Sequence, residues 1–172
     1  MKIFETQRLI LRELKIEDIS SLFQILNDKD TMSYYPSTYD ISGVTKWIEK
    51  NMNSYRENGF GLWAVLLKKN NQFIGQCGIS LQNINGKIVP EIGYHINKNF
   101  WNNGYATESA KACLEFGFKN LRLDEIFIHT YIKNIASQRI AEKIGMTKLY
   151  EYEKLLIAHN VKWNHVVYSK KC

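Results

Sequence analysis

Glu91-Ile92-Gly93-Tyr94-His95-Ile96, then residues 97–100, then Trp101-Asn102-Asn103-Gly104-Tyr105-Ala106-Thr107-Glu108, is the stretch on which the fold turns. Its first six residues have the apolar alternation of a strand, and helical spacing begins at Ala106 and continues to residue 118. A strand that passes through a turn of small residues straight into a helix leaves the first amide N–H groups of that helix without intrahelical partners. Together with the positive end of the helix dipole, those groups form a receptor for phosphate oxygens. Gly104 permits the tight turn, and Ala106 keeps side-chain bulk away from an approaching diphosphate. Glu108 falls in the first helical turn, where a carboxylate is favoured.

Upstream, residues 8–14 alternate as a strand, and residues 17–26 place Ile19, Leu22, Phe23 and Leu26 on one helical face. A loop over 28–39 carries Tyr34, Tyr35 and Tyr39. Ser42 is expected to cap a second helix with Val44, Trp47, Ile48 and Tyr55 as its buried stripe and Gly59 as its end. Strands 62–68 and 73–82 are joined through Asn70-Asn71, and Asn85-Gly86 supplies a tight primed turn into strand 87–96. Downstream come a strand over 125–132, a helix over 135–143 capped by Asn134 and stopped by Gly145, and strands 146–154 and 161–169. The order β-α-α-β-β-β-α-β-α-β-β predicts one α/β (α+β) domain over residues 1–172. Its mixed, mostly antiparallel sheet of six to seven strands carries helices on both faces and is not doubly wound.

The 172 residues suffice for one domain with a core, and 45% hydrophobic residues exclude a disordered tail. No apolar run reaches the length of a membrane span, and no apolar signal core follows Met1-Lys2, so the expectation is a cytoplasmic protein. Cys77, Cys113 and Cys172 are odd in number and form no C-x-x-C pair, which favours reduced thiols. The net charge of +6 is uneven: residues 1–57 hold 8 basic and 9 acidic side chains, 58–114 hold 5 and 2, and 115–172 hold 10 and 6. A basic second half suits a phosphorylated ligand.

Two segments and an opening motif together resemble the GNAT acetyltransferase superfamily, in its RimJ/RimL-like branch. The first segment matches E-I-G-Y-x-I followed by W-x-x-G-Y-A-T-E. The second, from Asn134 to Met146, matches N-x-x-S-x-x-x-x-E-K-x-G-[FM], and Glu5 to Arg12 match E-T-x-R-L-x-L-R. The resemblance implies acetyl-CoA as co-substrate, with its diphosphate on the turn formed by Trp101, Asn102, Asn103, Gly104, Tyr105, Ala106 and Thr107. It also implies a pantetheine arm paired like an extra strand with Tyr94 to Ile96, where strands 87–96 and 125–132 splay apart. Asn134 would then contact the arm, while Arg139 and Lys143 lie where phosphates pass. Trp101 replaces the Gln or Arg of many members but is normal in this branch. Ala141 stands where many members carry a Tyr that protonates the leaving thiolate, so that role does not transfer.

Moving an acetyl group from a thioester to an amine requires a neutral amine, a stabilised oxyanion and a proton for the departing sulfur. A backbone N–H near Ile96 would serve the oxyanion. Ser137 is the hydroxyl nominated for the sulfur, and Glu91 is the nominated base, with His95 second. The three tyrosines of the 28–39 loop are candidates for the lip of an acceptor pocket. The resemblance implies a primary amine as acceptor, foremost a protein N-terminal α-amino group, otherwise an antibiotic or small amine. A monomer or homodimer is expected, with neither nucleic acid nor membrane as partner. The rival expectation is a non-catalytic acyl-CoA-binding sensor, supported by Ala141 alone. Asn58 to Val65 meets the RNA-recognition signature only at Gly59-Phe60-Gly61, and no Walker loop occurs. His95, His129, His159 and His165 are scattered without ligand spacing, so no metal is expected.

Overall fold

In the computed structural model, which describes residues 1–156 and 161–172, every strand belongs to one eight-stranded sheet. The strands are β1 (Lys2–Glu5), β2 (Leu9–Glu13), β3 (Leu62–Leu67), β4 (Phe73–Ile84), β5 (Lys87–Ile96), β6 (Glu125–Tyr131), β7 (Thr147–Leu156) and β8 (Val161–Lys171). The helices are α1 (Ile19–Leu26), α2 (Ile41–Asn58), α3 (Tyr105–Lys119) and α4 (Ile135–Lys143). Across the sheet the order is β1-β2-β3-β4-β5-β6-β8-β7, and every neighbouring pair is antiparallel except β5–β6. His159 lies outside the described residues.

The sheet has one strand more than the sequence count. That strand, β1, is too short to show periodicity, and it forms because β2 offers an edge and Phe4 packs on Trp63 and Phe116 at 5.6 and 5.1 Å. The cap of α2 also differs from expectation. Asp40, in extended conformation, accepts the Gly43 N–H at 2.7 Å, which places Ser42 inside the first turn. Elsewhere local chemistry decides the outcome: Asn85 and Gly86 both adopt positive φ, as the primed hairpin turn demands, and Gly59 and Gly145 end their helices in the left-handed region.

Two apolar layers flank the sheet. On one face α3 and α4 cover Leu11, Trp63, Cys77, Ile79, Ile92 and Ile126. On the other, α1 and α2 bury Leu22, Leu26, Val44 and Ile48 against Ala64 and Leu66. Strand alternation therefore divides β5. Ile92 and Tyr94 belong to the α3/α4 side. His95, with ring contacts to Tyr35 and Trp47, belongs to the α1/α2 side, together with Glu91 and Gly93.

Where β5 meets β6, a single residue pair, Glu91 opposite Phe127, joins them. Beyond it the two strands part. The Asn97 N–H donates to Ile74 O at 2.8 Å, which fixes the phase of the β4–β5 ladder. By the antiparallel alternation, Tyr94 and Ile96 then turn their main-chain groups away from β4 and into the opening.

Candidate active site

The turn leaving β5 is built by side chains that satisfy its outer carbonyls and leave its amides clear. Asn103 Nδ2 donates to Trp101 O at 2.8 Å and to Phe100 O at 3.2 Å, while Asn102 and Gly104 take φ of 61° and 79°. The first helical backbone bond of α3 runs from Glu108 N–H to Gly104 O, 3.0 Å. Among the described residues, the amides from Asn102 to Thr107 donate to nothing. They make a concave donor set at a helix N-terminus, the arrangement that binds phosphate oxygens. A Cβ on Gly104 would meet only Arg8 Nη2, at 3.5 Å, so the approach to the turn is open.

Glu108 is more than a favourable first-turn charge. Burial opposes its ionisation, but hydrogen bonds from Thr6 Oγ1 (2.5 Å), the Arg8 N–H (3.0 Å) and Arg8 Nε (2.6 Å) outweigh burial and hold the carboxyl below its usual range. The opening Thr6-x-Arg8 thus ties the N-terminal segment to the start of α3. Arg8 also lies over the Tyr105 ring at 4.6 Å, which puts a guanidinium at the rim of the turn. Sequence reasoning missed this cation because Arg8 lies about a hundred residues away; the only signal was its place in the opening motif.

On the α3/α4 side, the opening is crossed by a pair of hydroxyls. Tyr94 Oη lies 2.7 Å from Ser137 Oγ and donates to Ser137 O at 3.3 Å. Burial raises the Tyr94 phenol, against a lowering by the Ser137 hydrogen bond, so it stays protonated. Asn134 Oδ1 accepts the Ser137 N–H at 3.1 Å, so the residue nominated to touch the pantetheine arm also fixes the first turn of α4. Trp101 Nε1 donates to Ile96 O at 2.7 Å. That carbonyl is taken, leaving the amides of Tyr94 and Ile96 and the carbonyl of Tyr94 for a ligand strand. Ala141 is fully buried in the core, one helical turn beyond Ser137. Arg139 and Lys143 are exposed and, among the described residues, in no ion pair. Cys77 and Cys113 are buried 3.6 Å apart between β4 and α3.

The α1/α2 side holds the other nominated groups. Glu91 Oε1 accepts the backbone N–H of His129 at 3.4 Å and lies 2.8 Å from His129 Nδ1, at an angle unlike that of a hydrogen bond. His129 Nε2 in turn meets Lys154 Nζ at 3.1 Å. His95 is held differently. Trp47 Nε1 donates to Gln76 Oε1 at 3.0 Å, and since an indole N–H can only donate, the Gln76 amide must present its NH2 to His95 Nδ1, 3.1 Å away. His95 Nδ1 is therefore an acceptor, and the proton of the neutral ring is on Nε2. Burial lowers the His95 pKa to about 4, so the ring is neutral near pH 7. At neutral pH Nε2 therefore faces the site as a donor.

The expected tyrosine lip lies over this face. Tyr35 is 5.0 Å from the His95 ring, Tyr39 is 5.4 Å from Trp47, and Tyr34 is 6.5 Å from Tyr131, which stacks on Trp163. His165 is neutral too, lowered to about 4 by burial and by nearby His129 and Lys154. Burial and the Glu91 charge push Tyr152 up to about 12. An open groove of about 540 Å³ between α2 and β4 runs along the same face, past Trp47 and Asn51, to Ser80, the cross-strand partner of Glu91. Among the described residues no group of three or more His, Cys, Asp or Glu could hold a metal ion, and no helix is long and apolar enough to cross a membrane.

A mixed sheet that opens at its one parallel junction, with a bare helix N-terminus at the mouth, defines the class of acyl-CoA-dependent transferases. The family described as Acetyltransferase (GNAT) domain matches residues 8–147. The chain is similar to the uncharacterized protein YkkB of Bacillus subtilis (strain 168), 38% identical over 169 residues, covering 96% of this chain and 94% of the relative. It is also similar to the uncharacterized N-acetyltransferase YnaD of the same organism, 30% identical over 165 residues and covering 95% and 94%. A crystal structure of a GNAT-family acetyltransferase from Bacillus anthracis superposes with a TM-score of 0.83, at 29% identity, covering 99% of this chain and 98% of that one. This chain belongs to the GNAT acetyltransferase family and is an N-acetyltransferase with acetyl-CoA as co-substrate.

Proposed function

We propose that the acceptor is a protein N-terminal α-amino group, as in the RimJ/RimL-like branch the sequence resembles, entering from the α1/α2 side of β5 while acetyl-CoA occupies the α3/α4 side. The acceptor class rests on that resemblance; the observation that supports the two-sided entry is the parting of β5 and β6 after Glu91, which connects the two faces at one point. The amides from Asn102 to Thr107, the cation of Arg8, and exposed Arg139 and Lys143 fit a phosphorylated co-substrate. Acetyl-CoA supplies the activated acyl carbon.

The remaining chemistry is done by side chains of this chain. Glu91, beside His129, receives the proton the amine must lose as the C–N bond forms and releases it to solvent after turnover. The Ile96 N–H, aimed into the opening, stabilises the oxyanion; a donor set in place beforehand is typically worth about 3 kcal/mol. As the C–S bond breaks, the Tyr94 O–H turns to Ser137 Oγ and Ser137 Oγ–H donates a hydrogen bond to the departing thiolate, which takes its proton from solvent. The protein acts in the cytoplasm as a monomer or homodimer.

Incubation of the purified protein with acetyl-CoA and a panel of peptides, aminoglycosides and polyamines, read by free-thiol release and acceptor mass, tests the assignment. Peptides acetylated on their α-amine are expected to give the highest kcat/KM. Exclusive transfer to antibiotics or polyamines refutes it, and CoA binding without thiol release on any amine would return the chain to the sensor reading.

A further inference from the structure

His95 Nε2 is an unpaired proton donor on the acceptor face whose direction and protonation are both fixed, and nothing in the chemistry so far employs it. The residue is 7% exposed, and among the described residues Nε2 finds no acceptor. Buried polar atoms are nearly always paired, so an orphan donor beside an active site indicates what the site is built to receive. The lock behind it is complete. Trp47 orients Gln76, and Gln76 holds Nδ1, so the ring neither flips nor changes tautomer without breaking two hydrogen bonds. Tyr35, from the loop between α1 and α2, packs its ring 5.0 Å from the imidazole.

Geometry sets what the donor can read. His95 and Glu91 lie on the same face of β5 with Gly93 midway, its Cα about 7 Å along the strand from each. Gly93 leaves the floor between them bare: a Cβ there would meet only Leu62 Cδ2, at 3.5 Å. An amine placed over Gly93 for attack through the opening would have the base on one side and a neutral N–H donor on the other. We infer that His95 selects the acceptor by donating from Nε2 to a carbonyl oxygen two or three bonds from the attacking nitrogen, which makes the substrates α-amino carbonyl compounds in amide or peptide linkage. A free amino acid fits less well, because its carboxylate would meet an uncharged donor in a pocket that already holds the Glu91 carboxylate. The inference deepens the proposed acceptor and rests on its entry from this face.

The test compares alaninamide with sec-butylamine, which keeps the branched amine and lacks the carbonyl, as acceptors for the full-length protein with saturating acetyl-CoA. With kcat/KM referred to the neutral form of each amine, wild type is expected to favour alaninamide by roughly 10- to 100-fold, the discrimination a site gains from one buried hydrogen bond. In His95→Leu that ratio should fall toward one. His95→Gln, which restores an N–H donor, should recover part of it, and CoA affinity reports that each variant is folded. Gln76→Leu should lower the ratio through loss of positioning alone. Nitrogen-15 NMR of the imidazole gives a readout independent of turnover: Nε2 protonated and Nδ1 bare in wild type, and a tautomer mixture in Gln76→Leu. An unchanged ratio in His95→Leu, or a proton on Nδ1 in wild type, overturns the inference. Absence of transfer to any α-amine, with polyamines acetylated instead, overturns the acceptor assignment beneath it.

Discussion

Replacing Gly104 by Asp and, separately, by Asn separates charge from shape at the diphosphate turn. The two side chains are nearly the same size, and both tolerate the left-handed backbone, here φ 79°, better than other non-glycine residues. Their common cost is about 1 kcal/mol of stability, seen as a similar drop in Tm of about 2–4 °C for a chain of this size. Neither clashes with the protein, since the nearest atom to the new Cβ is Arg8 Nη2 at 3.5 Å. Only Asp adds a charge. A unit charge about 5 Å from one phosphate costs roughly 3 kcal/mol at the effective dielectric of a protein surface. The second phosphate adds to this, and pairing of the new carboxylate with Arg8 offsets part of it. A net 2–3 kcal/mol makes the CoA Kd of the Asp variant roughly 30- to 150-fold weaker than that of the Asn variant. Calorimetric titration with CoA at low salt measures the difference, which should narrow at high salt as screening grows. Equal CoA affinity in two folded variants would mean that the diphosphate does not lie on this turn.

Ser137→Ala is expected to lower kcat about 10-fold with little change in CoA affinity, and Tyr94→Phe to do the same. Because the two hydroxyls act as a unit, the double variant should be no slower than the worse single one, and additive losses in stopped-flow turnover would break that coupling. Glu91→Gln should cost about 100-fold in kcat/KM near pH 7, with the loss shrinking as pH rises and the amine deprotonates unaided; a loss independent of pH makes Glu91 structural. Stability should fall as pH drops from 6.5 toward 4. In that window His95 binds a proton in the unfolded chain but not in the folded one, so the proton favours unfolding. The lowering from 6.5 to about 4 corresponds to roughly 3 kcal/mol. His165 contributes in the same direction, and a Tm–pH slope that persists undiminished in His95→Leu would refute this account.

The parts of the site that were legible in the sequence are those decided within a few residues. Gly104 at positive φ, Asn134 capping Ser137, and the Asn85-Gly86 hairpin are each dictated by local backbone chemistry. What could not be read are contacts made across the fold. Thr6 and Arg8 reach Glu108, Tyr94 reaches Ser137, Trp47 reaches Gln76, and His129 reaches Glu91 over separations of 102, 100, 43, 29 and 38 residues. One of them did leave a trace. Gln76 is a fully buried polar residue within the otherwise apolar run from Phe73 to Ile79, and a buried amide implies partners even when the sequence does not name them. The β1 strand and the Asp40 cap were missed for a different reason, since short edges and helix boundaries carry the weakest local signal.

The division of labour in the site follows from the period of one strand. Side chains on β5 alternate between faces, so Tyr94 can join the hydroxyl pair on the co-substrate side only if Glu91 and His95 point to the acceptor side. In the proposed mechanism the proton that leaves the amine and the hydrogen bond that meets the sulfur therefore belong to opposite surfaces of the sheet. The thioester carbon is then the one place where those surfaces need to communicate, and the proposal puts it where β5 has lost its partner, just past the Glu91–Phe127 pair. A sheet closed along β5–β6 would bury the Tyr94 and Ile96 main-chain groups in a ladder and leave each half of the chemistry intact but separated. The same reasoning explains why Gly93 is bare on the acceptor side while Trp101 is used on the other to tie down the Ile96 carbonyl. Attack requires an open path at Gly93, and the arm that delivers the acyl group requires an edge held in one place.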